Sequence, residues 1–327
     1  MKQPAMGNQP DRHHLHAPLE IGGTVFHAAE IAQMPTFLSY AGNARPWLWA
    51  AYFPFLLAYS DSPARAVMLG EHGGSLFVLL HRAVRGHGHI DFLLPPLGSG
   101  YEGALENLTG SLARLNGPIE TRFLWADLPG AAYGSRRGWV VTPYEHEYVY
   151  QRRALIELRG NEFRALRKRI HRCEREVQPE FRAFVESDVP ECEALLREWQ
   201  DMHRQDPVPV FDFGYTLSAI RSAARFRPRY LVGVVAVVDG KVRAFAFGGM
   251  IREGLGQFFV LKSDPACKGL AEATRLVLAE RMEGCDLVND AGDLSKPGLA
   301  QHKRLFRPVS FVPTFKMAFR SALSPYA

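Results

Sequence analysis

Three stretches of the sequence combine residue types that do chemistry. The first is Asn289 to Lys303 (NDAGDLSKPGLAQHK), which follows an apolar run, Cys285 to Val288, that reads as a buried strand. Polar groups leaving the carboxyl end of such a strand stand where open α/β folds place their ligands. Asp290 and Asp293 are suited to orienting or deprotonating an amine or hydroxyl nucleophile. Asp293 sits just ahead of a helix and is equally suited to capping it. Lys303 can bind an anion or stabilise negative charge developing on an acyl carbonyl; the alternative is an exposed helix lysine.

The second stretch is Gly160 to Glu176 (GNEFRALRKRIHRCERE), in which six Lys or Arg fall within twelve residues. On a helix, Arg164, Arg167, Lys168, His171 and Arg175 follow i, i+3, i+4 spacing and form one cationic face, joined by Arg172. Phe163, Leu166, Ile170 and Cys173 form the packing side. Such a face neutralises phosphates on tRNA, a lipid headgroup or a nucleotide; the alternative is a solvated helix surface.

The third stretch is Lys262 to Thr274 (KSDPACKGLAEAT). Lys268 and Gly269 stand where a Gly-rich loop would present amides to a pyrophosphate at a helix start. Pro265 and Cys267 occupy places where an acyl-coenzyme A transferase needs Gly or Gln/Arg, which argues against coenzyme A as a cofactor. Cys267 has no recognisable His partner, so an incidental thiol is expected despite Lys268 and the helix start beside it.

These stretches need elements to hold them. Phe181 to Val185 reads as a strand, and Asp188, with Glu191 three residues on, as the capping box of a helix running to about Arg204. A helix over about Thr216 to Arg225 follows. Tyr230 to Val238 and Lys241 to Ile251 are β-rich runs joined by Asp239-Gly240, a hairpin signal because both turn positions favour positive φ. Then come a strand at Gly256 to Lys262, a helix from Gly269 to about Glu283, the Cys285 to Val288 strand, a helix from Pro297 and a strand near Val309 to Phe319. That order is the order of the Gcn5-related acyltransferase fold. The first half repeats it more weakly: a helix at Trp47 to Ala58, strands near Ala66 to Leu69, Ser75 to His81 and His89 to Leu94, a helix from Tyr101 to Leu115, and a strand at Glu120 to Trp125. The expected organisation is a mixed α/β chain of two tandem acyltransferase-like domains, 21–142 and 143–327, each a mixed sheet flanked by helices, behind a flexible segment 1–20.

The bulk numbers agree. A chain of 327 residues with 47% hydrophobic and 22% charged residues suits two ordinary globular domains. Four scattered cysteines without a CxxC pair fit free thiols in a reducing, cytoplasmic setting. The longest apolar run, Trp47 to Tyr59, is thirteen residues and is broken by Pro54, too short to span about 30 Å of hydrocarbon as a helix. Contact of this run with a membrane surface stays open beside burial in a core. The net charge of +5 says little alone about partners. His13, His14 and His16 lack flanking ligands, so no metal site is expected.

The run YEHEYVY, then LRGNEFRALRKRIHRCERE, and much later VNDAGDLSKPGLAQHKRLFRP, resembles the carboxy-terminal domain family of phosphatidylglycerol lysyltransferases. The family shows an aromatic D-Y-x-Y stretch, then L-x-G-K-K-x-x-x-x-R-N-x-I-N-R-F, and later N-R-E-x-D-x-G-x-x-G-L-R-x-x-K-x-x-Y-x-P. Tyr148, Tyr150, Gly160, Arg167, Ile170 and Arg172 match the first signatures; Asn289, Asp293, Gly298, Leu299, Lys303 and Pro308 match the last. Lys168 and His171 replace Asn, Cys173 replaces Phe, and Asp290-Ala291 replace Arg-Glu. The resemblance implies tandem acyltransferase folds, aminoacyl-tRNA as donor, and a lipid or a small amine or hydroxyl compound as acceptor. In that setting Asp293 would orient or deprotonate the acceptor, Asn289 and Lys303 would position the carbonyl, and the Arg164 to Arg175 face would hold the tRNA acceptor end. An acyl-coenzyme A or acyl-carrier N-acyltransferase, and a binding module that has lost the chemistry, are the competing expectations.

Overall fold

The computed structural model describes residues 15–62, 64–84, 87–204 and 212–319. His13 and His14 lie outside the described residues. The chain divides into two compact units, one formed by 1–44, 59–142 and 315–327, the other by 45–58 and 143–314. One division falls after Thr142, but the units are not the continuous ranges 21–142 and 143–327: 45–58 belongs to the second and 315–327 to the first.

In the first unit, β1 (Leu19–Ile21), β2 (Thr24–Ala28), β3 (Arg65–His72), β4 (Ser75–Val84) and β5 (His87–Phe92) pair antiparallel in sequence order. The helix Glu102–Asn116 then crosses over, and β6 (Thr121–Ala126) returns parallel to β5, with Phe92 opposite Phe123. Leu105, Leu108 and Leu112, one stripe of that helix, pack on Phe77, Leu79, Phe92 and Phe123. The expected flexible segment 1–20 fails from Leu15 onward, where Leu15 is buried in this core and its carbonyl meets the His81 ring at 3.0 Å.

The second unit repeats the same plan. From β7 (Val140–Gln151) the chain passes through the helices Arg152–Glu157 and Arg164–Glu176 to β8 (Glu180–Ala183). The helices Val189–Met202 and Phe213–Ser222 follow, then β9 (Val232–Val238), β10 (Lys241–Arg252) and β11 (Gly254–Ser263), antiparallel in turn. Asp239 and Gly240 make the expected turn with φ of 51° and 73°. The helix Leu270–Arg281 crosses over to β12 (Cys285–Asn289), which is parallel to β11 and antiparallel to β7. The helix Pro297–Arg304 and β13 (Ser310–Phe319) complete the chain, and the end of β13 pairs with β6 in the first unit. Antiparallel hairpin strands, a crossover helix and a parallel strand, occurring twice, are the tandem Gcn5-related acyltransferase architecture.

Two local expectations are overturned. The apolar run from Trp47 is not one helix: a 3-10 turn, Trp49–Ala51, is separated from the helix Phe53–Ser60 by Tyr52, which is extended and donates its hydroxyl to the Tyr230 carbonyl at 2.5 Å. The Asp188–Glu191 capping box does not form either. Asp188 accepts from the Val185 amide and from both Nη atoms of Arg182, while Glu191 accepts from the Val242 amide at 2.8 Å, tying its helix to β10.

Gly269, at φ 86°, opens the helix Leu270–Arg281, and a Cβ there would collide with the Arg169 carbonyl. Gly269→Ala should therefore cost about 1–3 kcal/mol in urea unfolding, from left-handed strain plus displacement of the Arg164–Glu176 helix. An unchanged midpoint would show that the two helices are not in this contact.

Candidate active site

Between β11 and β7 lies β12, so its last residue, Asn289, emerges at the carboxyl end of the sheet with Gln257 on one side and Val149 on the other. The ladder continues one step further: the Asp290 amide donates to the Tyr148 carbonyl at 2.8 Å, and the Tyr148 amide to the Ala291 carbonyl at 3.0 Å. Because side chains alternate, the strand ends send polar groups to both faces of the sheet.

On one face, Glu147 and Asn289 meet. Asn289 Nδ2 donates to Glu147 Oε2 at 2.6 Å and to the Trp47 carbonyl at 2.9 Å, and the Trp49 amide donates to the same carboxylate oxygen at 2.9 Å. Both side chains are buried. The Glu147 carboxyl is pushed up to about 7, chiefly by burial, with the bonds from Asn289 and Trp49 pulling the other way.

The other face holds a buried cluster of opposite charges. Asp290 accepts from the Tyr150 hydroxyl at 3.1 Å and from Arg275, and Lys303 Nζ lies 3.6 Å from the same carboxylate. Lys303 also donates to the Asp290 carbonyl and, at 3.3 Å, to the Ala291 carbonyl. Burial pushes the Lys303 ammonium below its usual range, and Asp290 opposes this. Arg275 is sandwiched between the Phe258 and Phe306 rings, each 5.1 Å from its guanidinium carbon. One turn earlier on its helix, buried Glu272 pairs with Arg169 at 2.8 Å.

Asp293 stands past this cluster, half-buried. Its Oδ2 accepts the Tyr148 hydroxyl at 2.6 Å, and its Oδ1 accepts the Ser295 amide at 3.0 Å. Ala291, Leu294 and Ser295 all hold positive φ, a concentration of backbone strain in non-glycine residues. Asp293 therefore braces a strained turn ahead of the helix Pro297–Arg304 instead of bonding that helix's own first amides, and it keeps access to solvent.

Asn289 at the end of β12, Asp293 in the loop that follows and Lys303 on the next helix thus border one loop from different positions. Asn289 and Lys303 are 0% and 5% exposed. Asn289 Oδ1 accepts the Ala291 amide at 2.8 Å and Lys303 holds the Asp290 and Ala291 carbonyls, so any effect on a substrate passes through the loop. Lys303 is not the exposed helix lysine of the bland alternative.

The cationic helix forms as expected, with Phe163, Leu166, Ile170 and Cys173 buried and Arg164, Lys168, His171, Arg172 and Arg175 exposed. Arg167 departs from the face: its Nη1 bonds the Leu158 and Gly160 carbonyls, closing the turn before the helix. His171 pairs with Glu174 and Arg172 with Glu176, which offsets part of the positive charge. Lys268 is exposed, whereas Gly269 lies against the Arg169 carbonyl and is not open to a phosphate. Burial pushes the Cys267 thiol up, the opposite of activation. Among the described residues, no group of three or more His, Cys, Asp or Glu is placed to hold a metal, and no helix is long and apolar enough to cross a membrane.

Glu147, Tyr150 and Arg275 carry much of this site and were not singled out from the sequence for it. The alternation Glu-Tyr-Val-Tyr held the signal for Glu147, since on a strand it faces away from both tyrosines.

Residues 66–318 match the family of phosphatidylglycerol lysyltransferase C-terminal domains. The chain belongs to that family. It is accordingly a transferase. Solved structures agree in fold. A conserved protein of unknown function from Bacteroides thetaiotaomicron aligns over 90% of this chain and 99% of its own, with TM-score 0.74 and 19% identity. L-PGS from Bacillus licheniformis aligns over 91% and 94%, with TM-score 0.64 and 17% identity. The C-terminal domain of a putative lysylphosphatidylglycerol synthetase from Agrobacterium fabrum aligns over 88% and 93%, with TM-score 0.61 and 16% identity. No curated protein matches the sequence. In this phosphatidylglycerol lysyltransferase-family chain, the aromatic signature at the β7 end and the last signature at the β12 loop are hydrogen-bonded side by side, while the middle one forms the cationic helix.

Glu147 keeps its proton to about pH 7 when folded but releases it near 4.5 when unfolded. The folded state holds the extra proton between those values, so stability falls as pH rises through that window. Glu147→Gln retains an acceptor for both donors and cannot ionise. It should flatten the urea midpoint between about pH 5 and 8, with a gain on the order of 1–3 kcal/mol at the upper end. A wild-type midpoint already level over that range would remove the buried-carboxyl account.

Proposed function

We propose that this protein transfers an aminoacyl group from aminoacyl-tRNA to a lipid or to a small amine or hydroxyl acceptor. The observation that carries the choice of donor is the start of the helix Leu270–Arg281. In an acyl-coenzyme A transferase of this fold, that helix start receives a pyrophosphate. Here the Arg169 carbonyl sits on Gly269, and buried Glu272 adds a carboxylate in the first turn. The carbonyl repels phosphate and the Arg169–Glu272 pair fills the first turn, which supports a donor whose phosphates are held elsewhere. The cationic helix Arg164–Glu176, with Arg164, Lys168 and Arg175 exposed, offers such a place for the tRNA acceptor end.

An aminoacyl ester is already activated, so catalysis needs orientation, a proton acceptor and stabilisation of the oxyanion. Asp293 is the half-exposed carboxylate of the loop, fixed by Tyr148 and Ser295. In this reading the acceptor nitrogen or oxygen attacks the ester carbonyl and passes its proton to Asp293. The bond to the ribose oxygen breaks, and that oxygen takes the proton as it leaves. Asn289 and Lys303 are positioning residues: they hold the backbone of the loop that carries Asp293.

Purified protein incubated with charged tRNA pools and candidate acceptors should deacylate at least one tRNA species in an acceptor-dependent way. Asp293→Asn should slow that reaction about 10²- to 10⁴-fold, the usual worth of a positioned proton acceptor. Millimolar coenzyme A should leave the melting temperature unchanged, since a true site would raise it by mass action. Stabilisation by coenzyme A, with no tRNA species deacylated, would move the assignment to an acyl-coenzyme A N-acyltransferase.

A further inference from the structure

We propose that the first unit carries a phosphodiester-binding face, built from Arg65, Arg82 and Arg122 beside Tyr59 and Trp125, that grips the donor tRNA. This rests on the tRNA-dependent reading above and adds a second contact, on a different unit from the cationic helix.

Strand register assembles the face. Arg65 of β3 lies directly opposite Arg82 of β4, and Arg82 opposite His89 of β5. Like charges in direct cross-strand register destabilise a sheet, so this pairing is costly for folding alone. Asp91, two residues beyond His89, is the anchor. Its Oδ2 accepts Arg82 Nε and Nη2 at 2.9 and 2.8 Å, and Arg122 Nη2 at 3.5 Å. Its Oδ1 accepts the Arg122 amide at 2.9 Å and lies 3.0 Å from His89 Nε2. One buried carboxylate thus organises two guanidiniums and leaves them a surplus of positive charge. The Arg82 and Arg122 side chains are 26% and 42% exposed, while Asp91 is 0% exposed. Their bases are fixed and their tips reach solvent, which lowers the entropy lost when they bind an anion. Arg122 Nε and His89 Nδ1 are buried without a hydrogen-bond partner in the protein.

The aromatic neighbours choose the kind of anion. The Arg65 guanidinium lies 3.8 Å above the Tyr59 ring, and Tyr59 meets Trp125 edge-on at 6.1 Å. Trp125 comes to this side through a bulge in β6: Phe123 and Ala126 both face the core, so Leu124 and Trp125 between them stand out of it. Arginines interleaved with half-buried rings suit a nucleic acid, whose bases stack while its phosphates are neutralised. A lipid headgroup uses the charges and leaves the rings without a role.

Binding of uncharged tRNA, followed by fluorescence anisotropy across a salt series, tests the face on the full chain. Arg65→Ala and Arg122→Gln should each weaken binding several-fold and lower the salt slope by about one, and the double variant by about two. Arg122→Lys, which keeps the charge, should keep the slope, and melting temperatures report whether each variant remains folded. In transfer assays the loss should appear in KM for the charged tRNA. A folded double variant with wild-type affinity and slope, while the wild type still transfers from tRNA, overturns this face and leaves the functional reading intact. Arginine-dependent tRNA binding without transfer to any acceptor supports the face and sinks the functional reading. Capture of phosphatidylglycerol vesicles through these arginines, with no tRNA bound, overturns the proposal in favour of a lipid surface.

Discussion

The second unit depends on one backbone event, the continuation of the β7–β12 ladder past the last regular pair. The bonds from Asp290 to Tyr148 and from Tyr148 to Ala291 keep two polar segments in register after the strand has ended. Alternation then sends Asn289 toward Glu147 and Asp290 toward Tyr150, Arg275 and Lys303. Slipping this register by one residue would exchange the two sets and leave an ammonium, a guanidinium and a carboxylate buried without partners. Losing one partner of such a buried pair costs about 3–5 kcal/mol, so the register is strongly specified. Asp293 inherits its position from that specification.

A second constraint runs through Glu272. Its carboxylate pairs with Arg169 of the cationic helix and lies 3.8 Å from the ring of His302, which neighbours Lys303 on the helix Pro297–Arg304. The same carboxylate thus links the cationic helix to the helix that carries Lys303. The close approach of the helices Arg164–Glu176 and Leu270–Arg281 that brings Arg169 to Glu272 is made feasible by the missing side chain at Gly269.

What could be read in the sequence follows what was periodic. The Asp239-Gly240 hairpin, the strand–helix–strand unit from Gly254 to Asn289 and the helix from Pro297 each carry a local signal strong enough to survive tertiary packing. The outer half of β7 does not: Val140 to His146 (VVTPYEH) has no buried position and contains Pro143, so it lacks the alternation that marks a strand. Without that strand, Glu147 could not be placed beside Asn289. The apolar run from Trp47 has no period at all, and only the partners of Trp49 and Tyr52 explain its break. Asn289 and Lys303 were recognisable as site residues because of their type and place. Their burial was not, since it depends on carbonyls brought in by the loop and, for Asn289, on Trp47.

The segment 45–58 has a consequence for synthesis. The Trp49 amide finds its carboxylate 98 residues later, and the Trp47 carbonyl finds its amide 242 residues later. At about 5–20 residues per second, Trp47 and its neighbours wait roughly ten to fifty seconds on the ribosome for the strand they will cover. During that interval an aromatic stretch with no companion of its own is open to holdase chaperones. The nascent chain's vulnerability is therefore concentrated in WLWAAYF, the stretch whose Trp47 and Trp49 backbone groups are held by Asn289 and Glu147.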